Sequence, residues 1–344
     1  MYNNGILQLY DDPDKAIKLA NDLYNQKPTN KTMQAKAMLL TSTAYSSKRD
    51  FEKSLVYALK AREINESTKD PILQIHILSK IAAQYHQLGV TDKALEVLDE
   101  ADKIAGSNLE NDSVRSVMGN NYGIKGFIYT DQLSCDLAIT YFDKSIQTYS
   151  SLKQTKRILA NKSVVTYNKG NCLISLNRLY EAESIFKQAN TFAQKAGANS
   201  LQAFSLKGLA EVYTLKRKHK EALDELQKAN ELAKNVGDLV LNREIYIGMA
   251  DNYLALNDWD NYQIYNDKSG KTAQQIITSE RKTINNLLND YSMEIEQKIT
   301  KLKWVYGSII FLTLVFIFLL VFYLIKGEIS FQKKLKKVKS QIKF

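Results

Sequence analysis

Two stretches decide the fold: residues 170–189 read GNCLISLNRLYEAESIFKQA, and residues 210–229 read AEVYTLKRKHKEALDELQKA. Aligned, they place a small residue first (Gly170, Ala210), a bulky one three positions on (Leu173, Tyr213) and a second small one nine further (Ala182, Ala222). The same triplet recurs as Ser42, Tyr45, Ser54; Ala82, Tyr85, Ala94; and Gly126, Tyr129, Ala138; and, without its second small residue, as Ala250, Tyr253, Tyr262. Its third member steps by 40, 44, 44, 40 and 40 residues. A fixed period of this length marks a stacked repeat, in which each unit buries its apolar face on the next.

Inside a unit the spacing is helical. Leu78, Ile81, Ala82 and Tyr85 share one face at i, i+3, i+4, i+7, and Ala94, Leu95, Leu98 and Ala101 share another after a short break. Turn and cap chemistry fills the breaks: LGVTDK, LNRLYE, KRKHKE and LNDWDN within units, ESTKDP, GSNLEND and GANS between them. Pro13 and Pro71 each follow an aspartate, where a first helical turn accepts proline. No alternating apolar stretch argues for a sheet, so the expected class is all-α. The small residues have a steric reading: where two antiparallel helices cross closely, both contact points must be small. The tyrosine is then expected to fill the space beside the crossing, contributing about 1.5–3 kcal/mol when well buried.

On these residues the chain resembles the tetratricopeptide repeat (TPR) family. Motif positions 8, 11, 20, 24 and 27 match Gly170, Leu173, Ala182, Phe186 and Ala189, then Ala210, Tyr213, Ala222, Leu226 and Ala229. The resemblance implies a right-handed superhelical solenoid of helix pairs. Units of 40–44 residues exceed the usual length of about 34, so longer helices are expected. The repeat domain is assigned to 1–270 with its first repeat incomplete, because residues 13–28 read as a second helix with little before it.

The resemblance also implies an inner groove lined by first-helix residues. These are His76, Ser79 and His86; Asn120 and Thr130; Tyr167 and Asn171; Lys207, Glu211 and Thr214; and Glu244, Ile247 and Asp251. Hydroxyls, amides, imidazoles and mixed charge suit an extended protein or peptide segment, whose backbone needs hydrogen bonds and whose side chains need pockets. Ile247 fits core as well as groove. The two-carboxylate clamp of chaperone-binding TPR domains is not matched, since Tyr167, Phe204 and Gly208 break its pattern.

A second signal follows the repeats. Residues 304–325, WVYGSIIFLTLVFIFLLVFYLI, carry no formal charge. Twenty-two residues at about 1.5 Å each reach about 33 Å, enough for a hydrocarbon core of about 30 Å. Trp304, Tyr306 and Tyr323 sit near its ends, bracketed by Lys301, Lys303 and Lys326. One transmembrane helix is expected. The basic tail, 326–344, holds seven lysines against Glu328, so most of the chain's net charge of +10 lies there and little is left for the repeats to offer nucleic acid. By the positive-inside rule the tail is cytoplasmic and the repeats lie outside, as in a single-pass protein of the bacterial inner membrane. Residues 1–20 lack the basic and apolar regions of a signal peptide, which suggests a missing leading segment; the alternative is a tail-anchored protein with cytoplasmic repeats. Lysine-rich juxtamembrane tails are drawn to anionic lipid.

Between repeats and span, 271–303 lacks proline and glycine, and Ile277, Ile284, Leu288, Tyr291, Ile295 and Leu302 follow a heptad pattern with Arg281 and Lys298 in the gaps. It reads either as a lone helix capping the repeats or as a stalk forming a homodimer through 277–302.

No phosphate loop, nucleophile elbow, HExxH or Cys/His metal spacing occurs, so neither enzyme activity nor a metal or cofactor is expected. Cys172 reads as a small buried apolar group, and a Cys135–Cys172 disulfide is the alternative if the domain is exported. The whole order resembles membrane-anchored bacterial TPR regulators, which implies a sensor or adaptor in signal transduction or transcription regulation. The alternatives are a scaffold subunit of a membrane complex, or the sensory fragment of a split histidine kinase or helix-turn-helix regulator.

Overall fold

The structure, a computed structural model, describes residues 13–26, 29–108, 110–234 and 238–341, without the side chains of 279–294, 297–298 and 338–341. Every described element is a helix. α1 (Pro13–Gln26) precedes five pairs: α2 (Lys31–Ser47) with α3 (Phe51–Glu66), α4 (Pro71–Gln87) with α5 (Thr91–Ala105), and α6 (Asp112–Asp131) with α7 (Cys135–Ser150). Then come α8 (Lys156–Ser175) with α9 (Leu179–Ala196), and α10 (Asn199–Leu215) with α11 (His219–Ala233). α12 (Leu239–Ala255) leads into α13 (Trp259–Gln341), whose first turns complete a sixth pair.

Start signals differ between the two helices of a pair. Asn30, Asp70, Asn111, Thr155 and Asp238 cap first helices, each side chain accepting a backbone N–H. Of the second helices α5, α7, α9 and α11 lack such a bond, but each carries an acid in its first turn, where the helix dipole favours it: Asp92, Asp136, Glu181 and Glu221. The turn within every pair passes through one left-handed residue at the same repeat position. These are Arg49, Gly89, Leu133, Asn177, Arg217 and Asn257, with φ of 57–72°.

First helices pack on one another along the stack: α2 on α4, α4 on α6, α6 on α8, α8 on α10 and α10 on α12. Among the described residues, α3, α5, α7, α9 and α11 pack only on first helices. A layer whose members touch is shorter than one whose members do not. The stack therefore curves with its first helices on the inner face.

The small residues behave as expected in part. Ser54, Ala94, Ala138, Ala182 and Ala222 are all fully buried. In the first pair both contact points are small: the Ser54 hydroxyl lies 2.7 Å from the Ser42 carbonyl oxygen and 3.1 Å from its hydroxyl. Elsewhere the partner of the first small residue is larger. A Cβ at Gly126 would stand 2.4 Å from the Phe142 ring, and one at Gly170 2.7 Å from the Phe186 ring. The motif tyrosines are half-buried rather than buried, and three stack on a second-helix tyrosine: Tyr45 on Tyr57, Tyr129 on Tyr141 and Tyr253 on Tyr265, at 5.2–5.6 Å.

The contacts divide the chain into Met1–Ala273 and Gln274–Phe344. In the second unit, Ile299–Lys337 contains a segment long and apolar enough to cross a membrane, with none of its most apolar window buried. Of the heptad positions, Ile277, Ile295 and Leu302 are 39–53% exposed. The side chains of Arg281, Ile284, Leu288, Tyr291 and Lys298 lie outside the described residues.

Candidate functional site: the first-helix face

Two cavities lie side by side on the first helices of the last three pairs. The larger, about 290 Å³, is lined by Lys207, Glu211, Thr214 and Leu215 of α10, Leu226 of α11, and Glu244, Ile247, Gly248, Asp251 and Asn252 of α12. Spacings of three and four residues along both first helices put these groups on one face. Six of the sequence-predicted groove residues meet here: Lys207, Glu211, Thr214, Glu244, Ile247 and Asp251. Ile247 thus lines the cavity.

The cavity has a polar rim over an apolar floor. Lys207 Nζ lies 3.1 Å from Glu244 and 3.8 Å from Glu211, and its side chain is 16% exposed. Burial opposes the ammonium, but Tyr167, Glu244 and Glu211 together outweigh it and raise the Lys207 pKa. Burial raises the Asp251 carboxyl above its ordinary range. The back wall is a closed hydrogen-bond set. Thr214 and Asn252 bond to each other, Asn252 donates to the Gly248 carbonyl at 2.7 Å, and His219 Nδ1 stands 2.9 Å from Asn252 Oδ1. Glu211, Glu244 and Asp251 line the cavity with Lys207 as its one ammonium, so the lining carries an excess of negative charge.

The smaller cavity, about 190 Å³, is bounded by Ser163, Val164, Tyr167, Asn168, Leu201 and Phe204. The Tyr167 ring packs at 5.7 Å against both Phe186 and Phe204. Val164 and Phe204 were missed by sequence reasoning although both occupy the groove register, because the selection favoured polar groups. Asn171 is half-buried and lines neither cavity.

Of the remaining expected groove residues, His76, Ser79, His86, Asn120 and Thr130 are tied into contacts within and between first helices. His76 Nε2 is 3.0 Å from the Ser113 hydroxyl, and burial lowers its pKa, with Arg157 adding to the effect. Asn120 donates to the buried Ser79 at 3.3 Å. His86 Nδ1 lies 3.7 Å from an Asp131 carboxylate oxygen, and Thr130 donates to the Gly126 carbonyl at 2.9 Å. The described residues form no group of three or more potential metal ligands.

Residues 160–235, which hold most of this face, match the tetratricopeptide repeat family. That segment is built from tetratricopeptide repeats. The fold of the chain is similar to that of the Rap conjugation gene regulator of the plasmid pLS20, solved in complex with the Phr* peptide. That likeness has 15% identity and a TM-score of 0.56, over 80% of this chain and 73% of that one. It is also similar to BtubC from P. vanneervenii, at 20% identity and a TM-score of 0.53, over 67% of this chain and 92% of that one. PilW, a type IV pilus biogenesis factor, is alike at 16% identity and 0.52, over 71% and 98%. At these identities the likeness is one of fold. No curated protein matches the sequence.

Proposed function

We propose that this TPR chain is a membrane-anchored binding protein whose first-helix groove takes an extended segment of a protein or peptide, acting as a sensor or adaptor. The observation that carries the reading is the cavity between α10 and α12. It is open, has an apolar floor of Leu226, Ile247 and Gly248, and has carboxylates in excess at its rim. An extended chain offers backbone groups to the rim and one side chain to each cavity. The negative balance selects a basic side chain for the larger cavity, and the Tyr167–Phe204 pocket suits an apolar neighbour. The Rap conjugation gene regulator, similar in fold, is itself seen with a peptide, which supports a peptide as the occupant.

The anchor is the span at 304–325. The lysine excess after it favours a cytoplasmic tail held near anionic lipid and a solenoid outside, in a bacterial inner membrane. Exposed Ile277, Ile295 and Leu302 support a homodimeric stalk.

Photo-crosslinking in the native membrane tests the groove. A benzophenone side chain is placed at Glu211, on the groove, or at Gln188, on an exposed second-helix face. Adducts are expected from position 211 alone, and should fade when Glu244→Lys is added. Equal adducts from both positions would remove the first-helix face as the binding surface.

A further inference from the structure

The sequence holds two cysteines, in different repeats, and the fold brings them together. Cys135 is the first residue of α7, and Cys172 lies in the last turns of α8. Both pack in the cluster formed by Ala138, Phe142 and Val165. The Cys135 side chain packs in the same cluster as the Cys172 thiol, and the Thr130 hydroxyl of α6 stands 3.5 Å from Cys172 Sγ. Three helices of two adjacent pairs therefore converge on two sulfurs.

Their surroundings differ. Cys172 is 1% exposed, whereas Cys135 is partly open to solvent. Burial, with Cys135 adding to it, pushes the Cys172 thiol up to about 12. An apolar filler would account for Cys172 alone. It does not account for a second, partly exposed thiol set against it when the chain has no other cysteine.

We propose that Cys135 and Cys172 form an oxidation site: a reversible intramolecular disulfide that fastens the third helix pair to the fourth. The order of reaction follows from exposure. With glutathione disulfide as oxidant, the Cys135 thiolate attacks one glutathione sulfur, breaking that S–S bond and releasing one glutathione thiolate. Cys172 then gives up its proton to the glutathione thiolate released in the first step and attacks the Cys135 sulfur of the mixed disulfide. The Cys135–Cys172 bond forms as the second glutathione leaves. Two protein thiols are oxidised and one glutathione disulfide is reduced to two thiols.

The bond would close a loop spanning α7 and most of α8, restricting the unfolded chain and raising the melting temperature. It would also fix the step between Thr130 and Asn171, two expected groove residues on either side of it. The site stands without the groove reading, since it concerns only the two sulfurs.

The test uses the full-length chain in detergent micelles, equilibrated across graded ratios of reduced to oxidised glutathione. The samples are quenched in acid and alkylated, then read by intact mass and peptide mapping. The expected product is a monomer lighter by two hydrogen atoms, with residues 135 and 172 in one linked peptide, reversed by dithiothreitol. The oxidised form should melt above the reduced form, and Cys135→Ser, on the more exposed side, should abolish that difference while leaving the reduced melt unchanged. A glutathione adduct on Cys135 as the end point, disulfide-linked dimers, or two thiols unreacted across the whole range would each overturn the proposal.

Discussion

Phe186 is wedged between two glycines: a Cβ at Gly170 would stand 2.7 Å from its ring, and one at Gly208 2.3 Å. Along the repeats the size of the first small residue runs opposite to that of the residue at motif position 24. Gly126 faces Phe142 and Gly170 faces Phe186, while Ala82 and Ala210 belong to repeats that carry Leu98 and Leu226. Ser42 belongs to the repeat with Ala58. Side-chain volume is thus nearly constant between the Gly/Phe and Ala/Leu repeats, as a close-packed core requires, while the Ser42/Ala58 repeat is smaller. Gly170→Ala should destabilise the solenoid by about 1–3 kcal/mol through overpacking. Adding Phe186→Leu, which restores the Ala/Leu pairing of neighbouring repeats, should recover part of that loss in a denaturant-melt double-mutant cycle. Strictly additive effects would refute the pairing. The sequence shows at once that position 8 is small. It does not show for what, because the ring that fills the space sits sixteen residues later and reads as one more interior position.

At the scale of elements, adjacent pairs are joined by a few ion pairs as well as by packing. Glu183 of α9 accepts from Lys187 at 2.6 Å and from Lys216, the residue after α10, at 2.7 Å, and these two partners hold its carboxyl at about 2 against an ordinary 4.5. A carboxyl depressed on folding contributes stability that is full above its unfolded pKa and lost as pH falls through its folded one. Glu183→Gln should therefore lower the melting temperature at neutral pH, and the gap to the parent chain should close as pH falls from 4.5 towards 2. A gap constant over that range would deny the link. Helix starts and turns were legible: Asp70 before Pro71 marks a capped first turn, and Gly89 marks a left-handed one. The other five intra-pair turns place Arg49, Leu133, Asn177, Arg217 and Asn257 in the same conformation. There tertiary packing outweighs a local cost of about 1–2 kcal/mol, and no glycine announces it. The half-buried tyrosines were overestimated for a related reason, since periodicity gives the face but not the depth.

For the whole molecule, the repeat period and the helical spacing sufficed to foresee an all-α stack, because each unit can bury its face only on a neighbour, and the family resemblance added that the first helices lie inside. Half of the expected groove was legible in the same way: the motif register led to Lys207, Glu211, Thr214, Glu244, Ile247 and Asp251, which meet at one cavity. The earlier repeats were not, since His76, Ser79, Asn120 and Thr130 are engaged in contacts within and between first helices that a register cannot show. The function proposed here joins that groove to a single span, displaying the solenoid on one side of a bilayer and seven lysines on the other. The most direct measurement is a pair of fusions at Phe344 in a bacterial inner membrane, one to a fluorescent protein that matures only in the cytoplasm and one to alkaline phosphatase. The account predicts fluorescence without phosphatase activity; phosphatase activity without fluorescence would place the tail outside and contradict it.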